Sequence, residues 1–137
     1  MKDKPYILSV EDNPSDVLLM ARVFKKRVPN YDVIFFPDAD VTEDFLHKKH
    51  VDNNLPNLVI LDIKLVKGNG LDLLHYLKQD DRFKHLPVVI LSSSDREDDK
   101  RTAYNHGCND YVEKPKNYEF LNSKLPEIVN SWSLRDQ

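Results

Sequence analysis

A carboxylate, Asp62, closes the apolar run Leu58 to Leu61. Three other apolar runs also end in reactive groups. Tyr6 to Val10 leads into Glu11 and Asp12, Val88 to Leu91 into Ser92, Ser93 and Ser94, and Tyr111 and Val112 lead to Lys114. If these ends meet, three carboxylates share one pocket. At about 5 Å apart they repel by roughly 3 kcal/mol per pair at an effective dielectric near 20. Either their pKa values rise or a cation neutralises them. A hard divalent ion with oxygen ligands fits best. Magnesium is favoured because it takes one or two carboxylates, keeps several waters and partners phosphate. No histidine or thiolate falls in this pocket, which argues against zinc. A metal, a hydroxyl (Ser92) and an ammonium (Lys114) are what a phosphoryl group needs to shed charge during transfer. Asp62 is then the nucleophile, forming an aspartyl phosphate.

Each feature has a plainer role when taken alone. An acidic pair before a helix is a dipole feature, a strand-ending aspartate a turn residue, and a serine cluster a helix-entry loop. A lysine before proline is ordinarily solvated. Four such features at the ends of four strands make a pocket. The histidines His47, His50, His75, His85 and His106 show no ligand spacing tied to it and read as surface residues.

The elements that must position these groups follow from periodicity. A short continuous apolar run bounded by turn residues, such as Leu55-Pro56-Asn57 before Leu58, reads as a strand buried on both faces. Strands are expected at Ile7 to Val10, Val33 to Phe36, Leu58 to Leu61, Val88 to Leu91 and Tyr111 to Val112. Between them run helical patterns. The first has a capping Asn13, Pro14 at its first position, and Val17, Ala21, Phe24 and Val28 on one face. The second, Asp40 to His50, turns Val41, Phe45 and Leu46 inward. The third follows the turn Gly68-Asn69-Gly70 with Leu71, Leu74 and Leu77. The fourth, Arg96 to His106, is polar, with Ala103 and Tyr104 its main apolar residues. The last, Tyr118 to Trp132, presents Leu121, Leu125, Ile128 and Trp132, and Pro126 should kink or restart it. Alternation of this kind means a parallel sheet with right-handed helical crossovers. Open sheets of this kind bind ligands outside the carboxyl ends of their strands.

Composition bounds the function classes. The 137 residues suit one domain, with a core about 6–132, and 40% hydrophobic residues supply it. Twenty Lys and Arg against 23 Asp and Glu leave a formal charge of −3, which argues against nucleic-acid binding. The lone Cys108 permits no intrachain disulfide. There is no signal-peptide pattern and no apolar run near 18 residues, so the expected address is a reducing cytoplasm without membrane contact.

The chain resembles the response-regulator receiver domains of two-component signalling. Five features carry the resemblance: Val10 to Pro14, Leu61-Asp62 with Gly70 eight residues on, Leu86 to Ser92, Gly107 to Tyr111, and Val112 to Pro115. The resemblance implies a flavodoxin-like doubly wound (βα)5 fold with strand order 2-1-3-4-5. It implies that Asp62 accepts phosphate from a histidine kinase or a phosphotransfer protein. It also implies that Asp12 and Asp62 bind Mg2+ directly, Glu11 through water, and Lys64 through its backbone carbonyl. Ser92 and Tyr111 would be the switch pair, with Tyr111 outward before phosphorylation. Lys114 would bind the phosphoryl group, and the Lys114–Pro115 peptide would be cis. The phosphate would reshape the fourth helix and the face beside the last strand. Val66 stands where many members carry proline. The start of the chain, the loop from His50 to Pro56, residues Asp80 to Leu86 and the Phe120 to Trp132 tail further resemble stand-alone regulators paired with phytochrome kinases.

Ser133 to Gln137 leave no room for an output domain, so the chain is expected to be a single receiver unit that acts through a partner or a homodimer. It would catalyse only its own phosphorylation and slow dephosphorylation. An aspartate-nucleophile phosphatase would carry a second aspartate two residues after the first, where Lys64 stands. A flavin carrier would need a hydroxyl-rich loop where Glu11 and Asp12 stand. An interaction module independent of phosphorylation would share everything except magnesium dependence.

Overall fold

The structure, a computed structural model, describes residues 4–114 and 117–134. Five strands alternate with five helices: β1 Tyr6–Val10, α1 Pro14–Arg27, β2 Asp32–Phe36, α2 Ala39–Val51, β3 Leu58–Leu61, α3 Gly70–Gln79, β4 Val88–Ser92, α4 Glu97–Asn105, β5 Asp110–Glu113 and α5 Tyr118–Trp132. All strand pairs are parallel, and the order is β2-β1-β3-β4-β5. This is the flavodoxin-like order expected from the sequence.

Strand side chains alternate between faces, which divides the core in two. Leu8, Val10, Val59, Leu61, Val88 and Ile90 face α2, α3 and α4, where they meet Leu46, Leu73, Leu74, Leu77 and Ala103. Ile7, Leu58, Ile60, Val89, Leu91 and Val112 face α1 and α5, where they meet Met20, Val23, Phe24, Leu121, Leu125 and Ile128. The central strands β1, β3 and β4 are buried throughout, whereas the edge strands β2 and β5 are only partly covered. The continuous apolar runs in the sequence are therefore strands covered on both sides.

Some helix faces differ from the expected ones. In α1 the buried residues are Met20, Val23 and Phe24, with Val17 and Ala21 only half-buried. The helix packs on α5 as well as on the sheet, so its buried arc is turned toward α5. In α2, Val41 is exposed and Thr42 is buried instead, its hydroxyl donating to the Asp38 carbonyl at 2.8 Å. Tyr104 on α4 is 51% exposed. Pro126 does not restart α5, which runs unbroken from Tyr118 to Trp132. The buried residues Leu125, Ile128 and Val129 hold it to the core around the missing N–H.

The end of the sheet opposite Asp62 is closed by hydrogen bonds involving the end of α5 and the residues after it. Asn57 donates through its side-chain amide to the Leu134 carbonyl at 2.8 Å, and its own carbonyl accepts from the Leu134 N–H at 2.9 Å. Trp132 Nε1 donates to Asp110 at 3.2 Å. None of the described helices is long and apolar enough to cross a membrane.

Candidate functional site

The registers Val10 with Leu61 and Ser92 with Glu113 bring Glu11, Asp62, Ser92 and Lys114 to one edge of the sheet. Backbone bonds fix these ends. The Asp62 N–H donates to the Val10 carbonyl at 3.1 Å, and the Lys114 N–H donates to the Ser92 carbonyl at 2.7 Å. Glu11, Asp62 and Ser92 are buried.

The Lys114 ammonium is the hub. It donates to Glu11 Oε1 at 2.8 Å, Asp16 Oδ2 at 2.8 Å and Asp62 Oδ2 at 3.0 Å. Burial works against its charge. The hydrogen bonds to Asp16, Glu11 and Asp62 outweigh burial and hold its pKa above the ordinary value. Burial pushes the Glu11 carboxyl up, against the opposing pull of Lys114. Asp62 Oδ1 accepts from the Lys64 N–H at 3.2 Å, and Glu11 Oε2 accepts from the Asn13 N–H at 3.1 Å.

Asp16 was not legible as a site residue. Its position in the first turn of a helix suggests only a dipole role. Asn13 caps that turn, its Oδ1 accepting from Ser15 and Asp16. The cap turns the Asp16 carboxylate back toward the strand ends. A carboxylate five residues after Glu11, in the first turn of the helix leaving the same loop, is the signal that could have found it.

The expected metal ligands come together incompletely. Asp12 is turned toward the β3–α3 loop, where it accepts from the Val66 N–H. The space between Glu11 and Asp62 is filled by the Lys114 ammonium. Among the described residues, no three acidic, histidine or cysteine side chains group tightly enough to hold a metal ion as they stand. The chemistry of the donors still suits a hard divalent ion. Every candidate ligand, from Glu11, Asp12, Asp62 and the Lys64 carbonyl, is an oxygen, and together with Asp16, which holds Lys114, four carboxylates face one ammonium. Burial alone already penalises the charge on Glu11.

Ser92 is fully buried, and its Oγ accepts from the Ser94 N–H at 3.3 Å. The half-buried Tyr111 packs on the core and donates its hydroxyl to the Ser94 carbonyl at 2.8 Å. It therefore rests against the loop after β4, not in the outward position expected of it. Burial raises the pKa of its hydroxyl. The expected cis peptide involves Pro115, which lies outside the described residues.

Gly70 is required by close approach. A Cβ there would lie 2.0 Å from the Asp62 carbonyl oxygen. The start of α3 is thus pressed against the backbone of the strand that carries Asp62, and the Gly70 N–H donates to the Ile63 carbonyl at 2.9 Å.

Fold and site together define a flavodoxin-like α/β protein with a buried acidic cup and one lysine at the carboxyl edge of its sheet. The response regulator receiver domain matches residues 7–125, and the chain belongs to that family. It is 33% identical over 132 residues to the probable methanogenesis regulatory protein FilR2 of Methanothrix harundinacea, covering 96% of this chain and 85% of that one. It is 32% identical to the response regulator Rcp1 of Synechocystis, covering 92% and 87%. A Mn2+-bound structure of Rcp1 superposes with a TM-score of 0.83 at 31% identity, covering 97% of each chain. The phosphorylated cyanobacterial phytochrome response regulator RcpA superposes with a TM-score of 0.86 at 29% identity, covering 95% and 94%.

Proposed function

We propose that the protein is a phosphoacceptor in a two-component phosphorelay, with Asp62 taking a phosphoryl group from a phosphohistidine. The observation that carries this reading is the buried Asp62 carboxylate held by Lys114 beside Glu11 at the sheet edge. One carboxylate oxygen of Asp62 attacks phosphorus, the P–N bond breaks, and the electron pair leaves on the histidine nitrogen. Lys114 moves from carboxylate to phosphoryl oxygens, balancing charge where it develops. Ser92 donates its hydroxyl to the phosphoryl group.

Glu11, Asp12, Asp62 and the Lys64 carbonyl would hold Mg2+, which supplies further neutralisation of the phosphoryl oxygens. Asp12 must give up the Val66 N–H to take that role. The Mn2+-bound form of the relative Rcp1 supports binding of a divalent ion.

Phosphorylation adds charge and acceptor oxygens. Ser92 and Tyr111 pass the change to α4 through the loop between them. The high coverage of FilR2 and Rcp1 supports a single receiver unit spanning 1–137, acting through a partner. The likeness to the phytochrome response regulator RcpA favours a phytochrome-like sensor kinase as donor, and a cytoplasmic setting goes with that reading. Homodimerisation is a second route for output, and the acidic balance disfavours nucleic acid as the target.

The test is phosphorylation by a small-molecule phosphodonor with Mg2+, comparing wild type with Asp62→Asn. Acid-labile phosphate is expected on the wild type and absent from the variant. Label retained by the variant overturns the assignment.

A further inference from the structure

We propose that Asp16 is a positioning residue for Lys114 and sets how fast Asp62 takes up phosphate, an inference that rests on Asp62 being the acceptor. An ammonium has three N–H donors. Here each is bound to a different carboxylate: Glu11 from β1, Asp62 from β3 and Asp16 from α1. Two of these partners have other work. Asp62 is the nucleophile, and Glu11 lies where a divalent ion would be shared. Asp16 alone has no second task, so it can keep hold of Lys114 while the other two change partners.

The geometry makes Asp16 a fixed point. Pro14 opens α1 and the Asn13 side chain binds the Asp16 N–H, so the first turn is rigid. An ionised carboxylate is favoured there by the helix dipole. Lys114 has the opposite character. Its backbone is pinned to Ser92, but its four-carbon stem is flexible. A small cavity of about 100 Å³ between α1 and α5, lined by Asp16, Met20, Lys114 and Tyr118 among others, leaves the stem room to move.

Asp16 also competes with Asp62. The Lys114–Asp62 bond is the longest of the three, at 3.0 Å against 2.8 Å for the others. Without Asp16 the ammonium closes on Glu11 and Asp62 alone. The acceptor is then tied into a tighter pair that an incoming phosphoryl group must break.

The experiment measures the rate of Asp62 phosphorylation against phosphodonor concentration for wild type, Asp16→Ala, Asp16→Asn and Asp16→Glu, with Asp62→Asn as the blank. Circular dichroism and urea unfolding check the fold, and calorimetry gives the Mg2+ affinity. The maximal rate of Asp16→Ala is expected to fall about tenfold, with Asp16→Asn between it and wild type. Asp16→Glu should recover most of the rate, and Mg2+ affinity should stay within about twofold. A wild-type or faster rate in Asp16→Ala overturns the proposal. So does a slower rate that tracks lost Mg2+ affinity or lost folding, which would make the role merely structural. If wild type gains no label above the Asp62→Asn blank, the acceptor reading falls first, and that outcome is distinct from wild type labelling normally with Asp16→Ala unchanged.

Discussion

Helices α3 and α4 follow the two strands that carry Asp62 and Ser92, yet they are attached in opposite ways. Asn69 caps α3 through the Leu71 N–H at 2.7 Å, and Gly70, Leu73, Leu74 and Leu77 are buried beneath it. Its far end is tied by the Asp80–Arg82 pair, with Arg82 reaching His47 on α2 at 2.9 Å. In α4, Arg96 makes no side-chain cap and Ala103 is the one buried residue. Ser94 does the capping from outside the helix. Its Oγ donates to Asp99 at 2.5 Å and accepts from the Arg96 N–H at 3.3 Å. The helix after the acceptor is welded to the core by apolar burial. The helix after the hydroxyl is held by polar bonds, to its own entry loop, which Tyr111 also grips, and to β5, where the Tyr104 hydroxyl accepts from the Tyr111 N–H at 3.1 Å. Polar bonds to a loop are worth about 1 kcal/mol each, so a new charge beside Ser92 can rearrange them, whereas α3 gives the acceptor a fixed floor.

The contrast can be broken at four places. Leu74→Ala empties a fully buried position and should cost about 3 kcal/mol of global stability, read by urea unfolding. Gly70→Ala forces α3 away from the Asp62 carbonyl and should cost about 2 kcal/mol. It should also slow phosphorylation, because the strand end itself must shift.

Ser94→Ala should act locally. Amide exchange in α4 is expected to quicken by about 1 kcal/mol of lost protection, while exchange in α3 and the urea midpoint barely move. A global loss as large as that of Leu74→Ala would show that α4 is no more loosely seated than α3.

The smallest effect concerns the end of α3 and depends on pH. Hydrogen bonds from Arg82 hold the Asp80 carboxyl at about 2, below its ordinary 3.8. A depressed carboxylate stabilises the fold above its unfolded pKa, and that contribution is lost as pH falls through the folded value. The stability gap between wild type and Asp80→Asn should therefore be present at pH 5 or so and shrink as pH falls from about 4 to about 2. A gap unchanged over that range would mean the ion pair does not hold the end of α3.

Where the sequence misled, the cause was packing between distant segments. The stripe Val17, Ala21, Phe24 and Val28 is a fair amphipathic face for an isolated helix. Phe24 and Val28 are buried as expected, but contact with α5 turned Met20 and Val23 inward in place of Val17 and Ala21. Val41 lost its place to Thr42 because the Thr42 hydroxyl finds the Asp38 carbonyl one turn back. Asp12, read as a metal ligand beside Asp62, here accepts from the Val66 N–H in the loop beyond β3, a contact set by the tertiary structure.

The strands and the residues at their carboxyl ends were legible in the sequence alone, whereas the strand order came from the family resemblance and is set by the sheet. A strand covered on both faces must read as an unbroken apolar run, and the first polar residue after it marks the sheet edge. The tertiary structure alone decided which carboxylates share Lys114, that Asp16 is one of them, and that Tyr111 leans on Ser94. Those contacts join residues as far as 103 positions apart. They depend on strand register and on how α1 sits against α5, and local periodicity carries no information about either.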